Sequence, residues 1–309
     1  MGDFEITRDE IAAAAVRITG RVRRTPVVEL EQLPGLPRLT LKLDLLQPTG
    51  SFKPRGAFNL LLSSDIPRDG VVAASGGNFG LAVAYAAREL GVGAAIFVPD
   101  TSPRAKIAGL ERLGAGVHVI PGYYSAALEA SRRWSADRDV LTCHAYDQRE
   151  VVAGQGTCGL EIGEQVADAD AVLVAVGGGG LIGGVASWIR DDARLVAVES
   201  TGTATLHSAR AAGGPVDVDV GGIAASSLGA ARIGRHAWAA NRWIDESVLV
   251  DDDSIRVAQR WLWDTVRLVV EPGAATPIAA LLSGAWMPPE ASHVVAVVCG
   301  ANIDPGEIA

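Results

Sequence analysis

Four consecutive glycines, Gly177 to Gly180, constrain this chain more than any other stretch. They follow Ala171 to Val176, small apolar residues that read as a strand buried on both faces, and the residues after them can continue as a helix. A strand, a turn without side chains and a helix start form a cradle for a phosphate. No Cβ blocks the backbone N–H groups, and the helix N-terminus adds partial positive charge. The same turn serves equally to let two elements pack closely, so alone it leaves both uses open. The stretch 171–189 is uncharged and near membrane-spanning length, but its strand–turn–helix pattern argues against a span.

Elsewhere short apolar strands alternate with helical segments. Strands are expected at 71–74, 94–98, 117–120, 195–199 and 294–298, and helices at 81–90, 105–113, 125–135 and 254–269. Thr7 and Glu10 form a capping box opening an alanine-rich helix that should run to Gly20. Residues 39–44 alternate apolar and polar, as a half-exposed strand does, and 211–230 read as a loop. The pattern gives an α/β protein with two mostly parallel open sheets and helices on both faces. The expected division is a large domain, 1–47 plus 145–309, and a small substrate-side domain, 48–144. A net charge of −9 argues against a nucleic-acid partner. The acidic N-terminus has no apolar core of a signal peptide, and Cys143, Cys158 and Cys299 lack metal-ligand spacing. Reduced thiols in a cytoplasmic protein without a membrane partner are therefore expected.

Four clusters fall at strand ends or strand-to-helix turns, where open α/β sheets place ligands: Ser51–Lys53, Ser75–Gly80, Gly177–Gly180 and Cys299–Asn302. Lys53, between Phe52 and Pro54, is held at an ordered turn. A lysine amine in a partly apolar pocket has a lowered pKa and can form a Schiff base with an aldehyde cofactor. A solvated lysine on a first helical turn is the plainer alternative.

These motifs resemble the fold-type II pyridoxal-phosphate enzymes, specifically the serine/threonine dehydratase and serine racemase branch. They are QPTGSFKPRGA around Lys53, SGGNFG at 75–80, AGQGTCGLEI at 153–162, VGGGGLIGG at 176–184, VEPGAA at 270–275 and CGAN at 299–302. The all-glycine phosphate loop is similar to that of the dehydratases rather than the cysteine synthases. The resemblance implies pyridoxal 5′-phosphate as cofactor, with Lys53 as the Schiff-base and catalytic lysine. Phe52 and Asn78 would contact the cofactor, Asn78 at its 3′-oxygen. Gly177, Gly178, Gly179 and Gly180 would hold the phosphate, and Cys299 would face the pyridine nitrogen. Ser75, Gly77 and Asn78 would receive the substrate carboxylate.

The implied reaction is β-elimination from L-serine or L-threonine, with loss of water and ammonia to leave a 2-oxo acid, by a homodimer. Other β-substituted amino acids such as 3-hydroxyaspartate, racemisation, and a non-catalytic phosphate-ligand protein are the alternatives. Gly76 stands where racemases carry an acid/base serine, which disfavours racemisation. Phe79 should narrow the substrate region. The racemases' cation-binding motif aligns with Gly221-Gly222-Ile223 and lacks its aspartate, so no metal is expected. The five histidines read as structural or surface residues. The chain leaves no room for a regulatory domain after the last motif, so feedback control is not expected.

Overall fold

The structure, a computed structural model, describes residues 2–31, 34–102 and 104–308. Its strands are β1 (Val27–Glu29), β2 (Arg38–Lys42), β3 (Val71–Ala74), β4 (Ala94–Pro99), β5 (Gly116–Ile120), β6 (Leu141–Cys143), β7 (Ala171–Ala175), β8 (Arg194–Ser200), β9 (Glu246–Val250) and β10 (His293–Val297). One sheet has the order β1-β2-β10-β7-β8-β9, the other β5-β4-β3-β6. β1 runs antiparallel to β2, and every other pairing is parallel. The two mostly parallel sheets are those expected from the alternation.

Sheets of this kind are covered on both faces. All five residues of β7 and of β10 are buried accordingly, and they form the centre of the larger core. Helices Arg149–Gln165 and Gly180–Ile189 pack closely because Gly184 lets the second backbone approach Val152 O and Gly156 N of the first. A second core joins helices Pro54–Ser63 and Asn78–Leu90 to β3 and β4.

Several local expectations change. The capping box at Thr7 is present, but the helix stops at Arg17, three residues before Gly20. β2 is buried from Leu39 onward rather than half-exposed, because each of its polar residues has an internal partner. Thr40 Oγ1 meets His293 Nε2 at 2.8 Å, and Lys42 Nζ bonds Thr25 O, Glu161 and Gln165. The region 211–230 is mostly irregular with one helical turn at Ala225–Leu228. Strand β9 and helices Thr205–Ala212 and Pro272–Ser283 have no counterpart in the sequence reading. They lack clear periodicity, and the sheet supplies their partners.

Lys42 belongs to a buried charge network. Arg55 Nε and Nη2 bond Asp44 at 2.9 and 2.6 Å, and its Nη1 and Nη2 bond Glu161 at 2.7 and 2.8 Å. Thr25 Oγ1 donates to Asp44 as well. Two cations face two carboxylates, so the charge is balanced. Removing one partner leaves buried charge unpaired, which costs about 3–5 kcal/mol. Burial acts to raise the Asp44 pKa, but the Arg55 guanidinium prevails and holds the carboxyl below its ordinary value. A depressed carboxylate contributes stability above its unfolded pKa, about 3.9, and loses it as pH falls through the folded value. Arg55→Met is therefore expected to lower the unfolding free energy by about 3–5 kcal/mol at neutral pH, read by urea titration. The deficit relative to wild type should shrink under acid, and an unchanged midpoint at pH 7 would contradict this account.

Candidate active site

The segment before helix Pro54–Ser63 is laced to the chain after β10. Phe52 N donates to Cys299 O at 3.0 Å, Ala301 N donates to Gly50 O at 2.8 Å, and Ser51 bridges Gly300. Gly50 takes φ +74°, and a Cβ there would crowd the Asn302 side chain. Lys53 is thereby fixed at the helix cap with Pro54 in the first helical position. Its Nζ donates to Ala145 O at 2.9 Å and lies 4.8 Å from the Phe52 ring centroid and 5.7 Å from that of Phe79. Phe79 is buried beneath the lysine rather than projecting into open space. Burial lowers the Lys53 pKa from its usual 10.5 to about 8, against the opposing pull of Cys299 and Glu271.

Asn78, at the start of helix Asn78–Leu90, ties that helix to Glu271 and Asn302. Its Nδ2 donates to Glu271 Oε1 at 2.7 Å, and its Oδ1 accepts from Asn302 Nδ2 at 2.7 Å. Asn302 Nδ2 also donates to Thr49 O at 2.9 Å. An amide nitrogen carries two hydrogens, so one Asn78 N–H remains for a ligand. Glu271 is buried, and its own N–H bonds Gly300 O. Burial pushes its carboxyl up despite the Lys106 charge, the Asn78 bond and Lys53. Cys299 is buried in the same group, and burial holds its thiol well above the ordinary value, hence neutral.

The glycine run packs closely against its neighbours. Gly179 adopts φ +88°, which favours glycine, and a Cβ on it would crowd Ile233 and Ala237. A Cβ on Gly178 would overlap the Tyr146 ring. The loop is anchored through its carbonyls: Thr205 Oγ1 donates to Gly177 O, and Gly234 N donates to Gly178 O at 3.0 Å. Among the described residues the N–H groups of Gly178 and Gly179 have no acceptor, and helix Gly180–Ile189 starts behind them. Packing fixes the turn, and the free donors remain available to an anion.

Ser75 follows β3, with its N–H on Phe97 O, and Gly77 N approaches its Oγ at 3.4 Å. Thus Lys53, Phe52, Asn78 and Cys299 share one contact group, and the Ser75–Gly77 turn leads directly into Asn78. The glycine loop borders the same region through Tyr146, whose neighbour Ala145 receives the lysine bond. Tyr146 was not singled out from the sequence, and Glu271 and Asn302 fell inside the VEPGAA and CGAN motifs without a role of their own. Glu271 had a signal, a lone carboxylate between Val270 and Pro272 in an otherwise apolar stretch. Tyr146 had none. Burial pushes its phenol up to about 12, so it stays neutral. His144 accepts from Tyr146 N and Asp147 N through Nδ1, which suits the structural role expected of it. At Gly221-Gly222-Ile223 the Ile223 N–H bonds Asp252 at 3.1 Å.

Comparison with known proteins shows the family. A family profile described as pyridoxal-phosphate dependent enzyme matches residues 18–300. The chain is 34% identical over 303 residues to a phenylserine dehydratase of Ralstonia pickettii, covering 95% of this chain and 92% of that protein. It is 34% identical over 305 residues to an L-threonine ammonia-lyase of Geobacter sulfurreducens, covering 95% and 75%. Among solved structures, maize serine racemase aligns with a TM-score of 0.92 at 30% identity, covering 98% of this chain and 95% of that one.

The depressed lysine has a measurable signature. Because burial disfavours its protonated form, Lys53 should become nucleophilic as pH rises through about 8. In cofactor-free protein, reductive methylation of Lys53, followed by peptide mass spectrometry, should reach half its limiting rate near that pH. A midpoint near 10.5, as for a solvated lysine, would contradict the burial argument.

Proposed function

Because this chain belongs to the family of pyridoxal-phosphate dependent enzymes, we propose that it is an ammonia-lyase acting on a small hydroxy amino acid, L-threonine or L-serine. Water and ammonia would be removed to leave a 2-oxo acid. The observation that carries the reading is Lys53, an amine of lowered pKa fixed beside Cys299 and Asn78. The residues present suit the cofactor. Gly178 and Gly179 offer free N–H groups at a helix start for its phosphate, with Gly177 and Gly180 flanking them. The spare Asn78 N–H suits its 3′-oxygen, the Cys299 thiol suits its ring nitrogen, and Phe52 packs beside the aldehyde-holding Lys53.

Bound there, the cofactor supplies an electron-withdrawing ring adjacent to the substrate Cα. Lys53 Nζ, which gives up its proton near pH 8, is the group assigned to take the Cα proton. The Ser75 hydroxyl and the N–H groups of Gly77 and Asn78 are assigned to hold the substrate carboxylate at the start of a helix, where an anion is favoured. The neutral Cys299 thiol is a poor partner for a ring cation. It therefore favours prompt loss of a β-leaving group over reactions that need long-lived negative charge at Cα.

The relatives are named for phenylserine and L-threonine, so a different β-substituted amino acid, such as 3-hydroxyaspartate, is the second reading. Gly76 has no side chain to move a proton, so racemisation would need a hydroxyl supplied by another residue. We place the enzyme in the cytoplasm as a homodimer, the dimer on family resemblance alone. Buried free thiols at Cys143, Cys158 and Cys299 suit a reducing compartment, and no described helix is long and apolar enough to cross a membrane.

The test is a substrate panel read by ammonia and 2-oxo acid release, with and without Mg²⁺. L-Threonine or L-serine should turn over, and Lys53→Ala should cost about 10²–10⁴-fold or more. Turnover confined to another β-substituted amino acid favours the second reading. A variant that keeps full ligand affinity, with no turnover in the wild type, would overturn the enzymatic one.

A further inference from the structure

Gly76 leaves a gap in the turn after β3, and a residue from another loop fills it. A Cβ built on Gly76 would overlap the Ser102 Oγ and lie 3.2 Å from the Ser102 Cβ. Ser102 sits between β4 and helix Arg104–Arg112, held by its N–H on Pro99 O at 3.0 Å. It is half-buried, and among the described residues its hydroxyl has no hydrogen-bond partner. Four residues on, the Lys106 charge acts on Glu271. Ser102 and Lys106 therefore lie near the region that holds Asn78 and Glu271.

An unpaired hydroxyl at this place has a specific use. The Ser75–Gly77 turn offers backbone donors and, at Gly76, no side chain. A carboxylate has about four lone-pair positions, more than those donors fill. We propose that Ser102 is a substrate-binding residue whose Oγ–H donates to the carboxylate of the amino-acid substrate, in the space that position 76 leaves empty. This assignment rests on the amino-acid reading above. The competing possibility is plain packing of Ser102 against Gly76, which would affect stability without regard to the ligand's charge.

Glycine and glycinamide separate the two, since both carry the amine and only glycine carries the carboxylate. Their dissociation constants can be read from the absorbance change of the holoenzyme, with melting temperatures recorded for each variant. A hydrogen bond to a charged group is worth about 1.5–3 kcal/mol, so Ser102→Ala should weaken glycine about 10- to 100-fold. Glycinamide affinity should stay within about twofold, because its neutral amide forgoes the charge assistance. The exchange G76S/S102G, which moves the hydroxyl to position 76 and clears the overlap, should regain most of the glycine affinity. Loss of both ligands equally, or of neither, would overturn the assignment of Ser102 while leaving the amino-acid reading intact. A wild-type holoenzyme that does not respond to glycine would overturn that reading and Ser102's role with it.

Discussion

Arg55 is the residue on which the site's geometry depends. It stands two positions after Lys53 and is wholly buried, bonded to Asp44 after β2 and to Glu161 on helix Arg149–Gln165. Ions so far from water persist only when paired, and here the pairing is complete on both sides. The consequence is positional. Helix Pro54–Ser63 cannot shift along the large sheet without separating charges, so its cap, Lys53, is held against the strand end that carries Cys299. The backbone bonds from Phe52 to Cys299 and from Ala301 to Gly50 continue the same clamp.

What the clamp creates is a small region of low polarity with few charges in it. Burial drives the Lys53 amine, the Cys299 thiol and the Glu271 carboxyl each toward its neutral form. Of the three, Lys53 is brought within reach of neutral pH, which is the condition for it to move a proton at carbon. The glycine loop adds donors without charge. Its carbonyls are tied down by Thr205 and Gly234, so its uncommitted N–H groups are held in place in advance.

Much of this was legible in the chain. The parallel sheets follow from apolar strands spaced by helical segments, and the ligand positions follow from polar or glycine clusters at strand ends. Lys53, Asn78, Cys299 and the glycine loop all stood in such clusters. The unread parts have physical causes. β2 looked half-exposed because Thr40 and Lys42 are polar, yet their partners, His293, Glu161 and Gln165, lie more than a hundred residues away. β9 and helix Pro272–Ser283 carry little periodicity of their own and depend on tertiary contacts. Tyr146 and Ser102 enter the site because glycines opposite them have no side chain. That kind of complementarity appears only when two distant turns are brought together.

One nitrogen, Lys53 Nζ, decides the assignment of the site. Holoprotein reduced with borohydride and digested with protease should carry the reduced cofactor on the peptide containing Lys53. Every other lysine, Lys42 and Lys106 included, should be unmodified. Adduct on another lysine, or none despite tight cofactor retention, would contradict the assignment of Lys53 and the arrangement built around it.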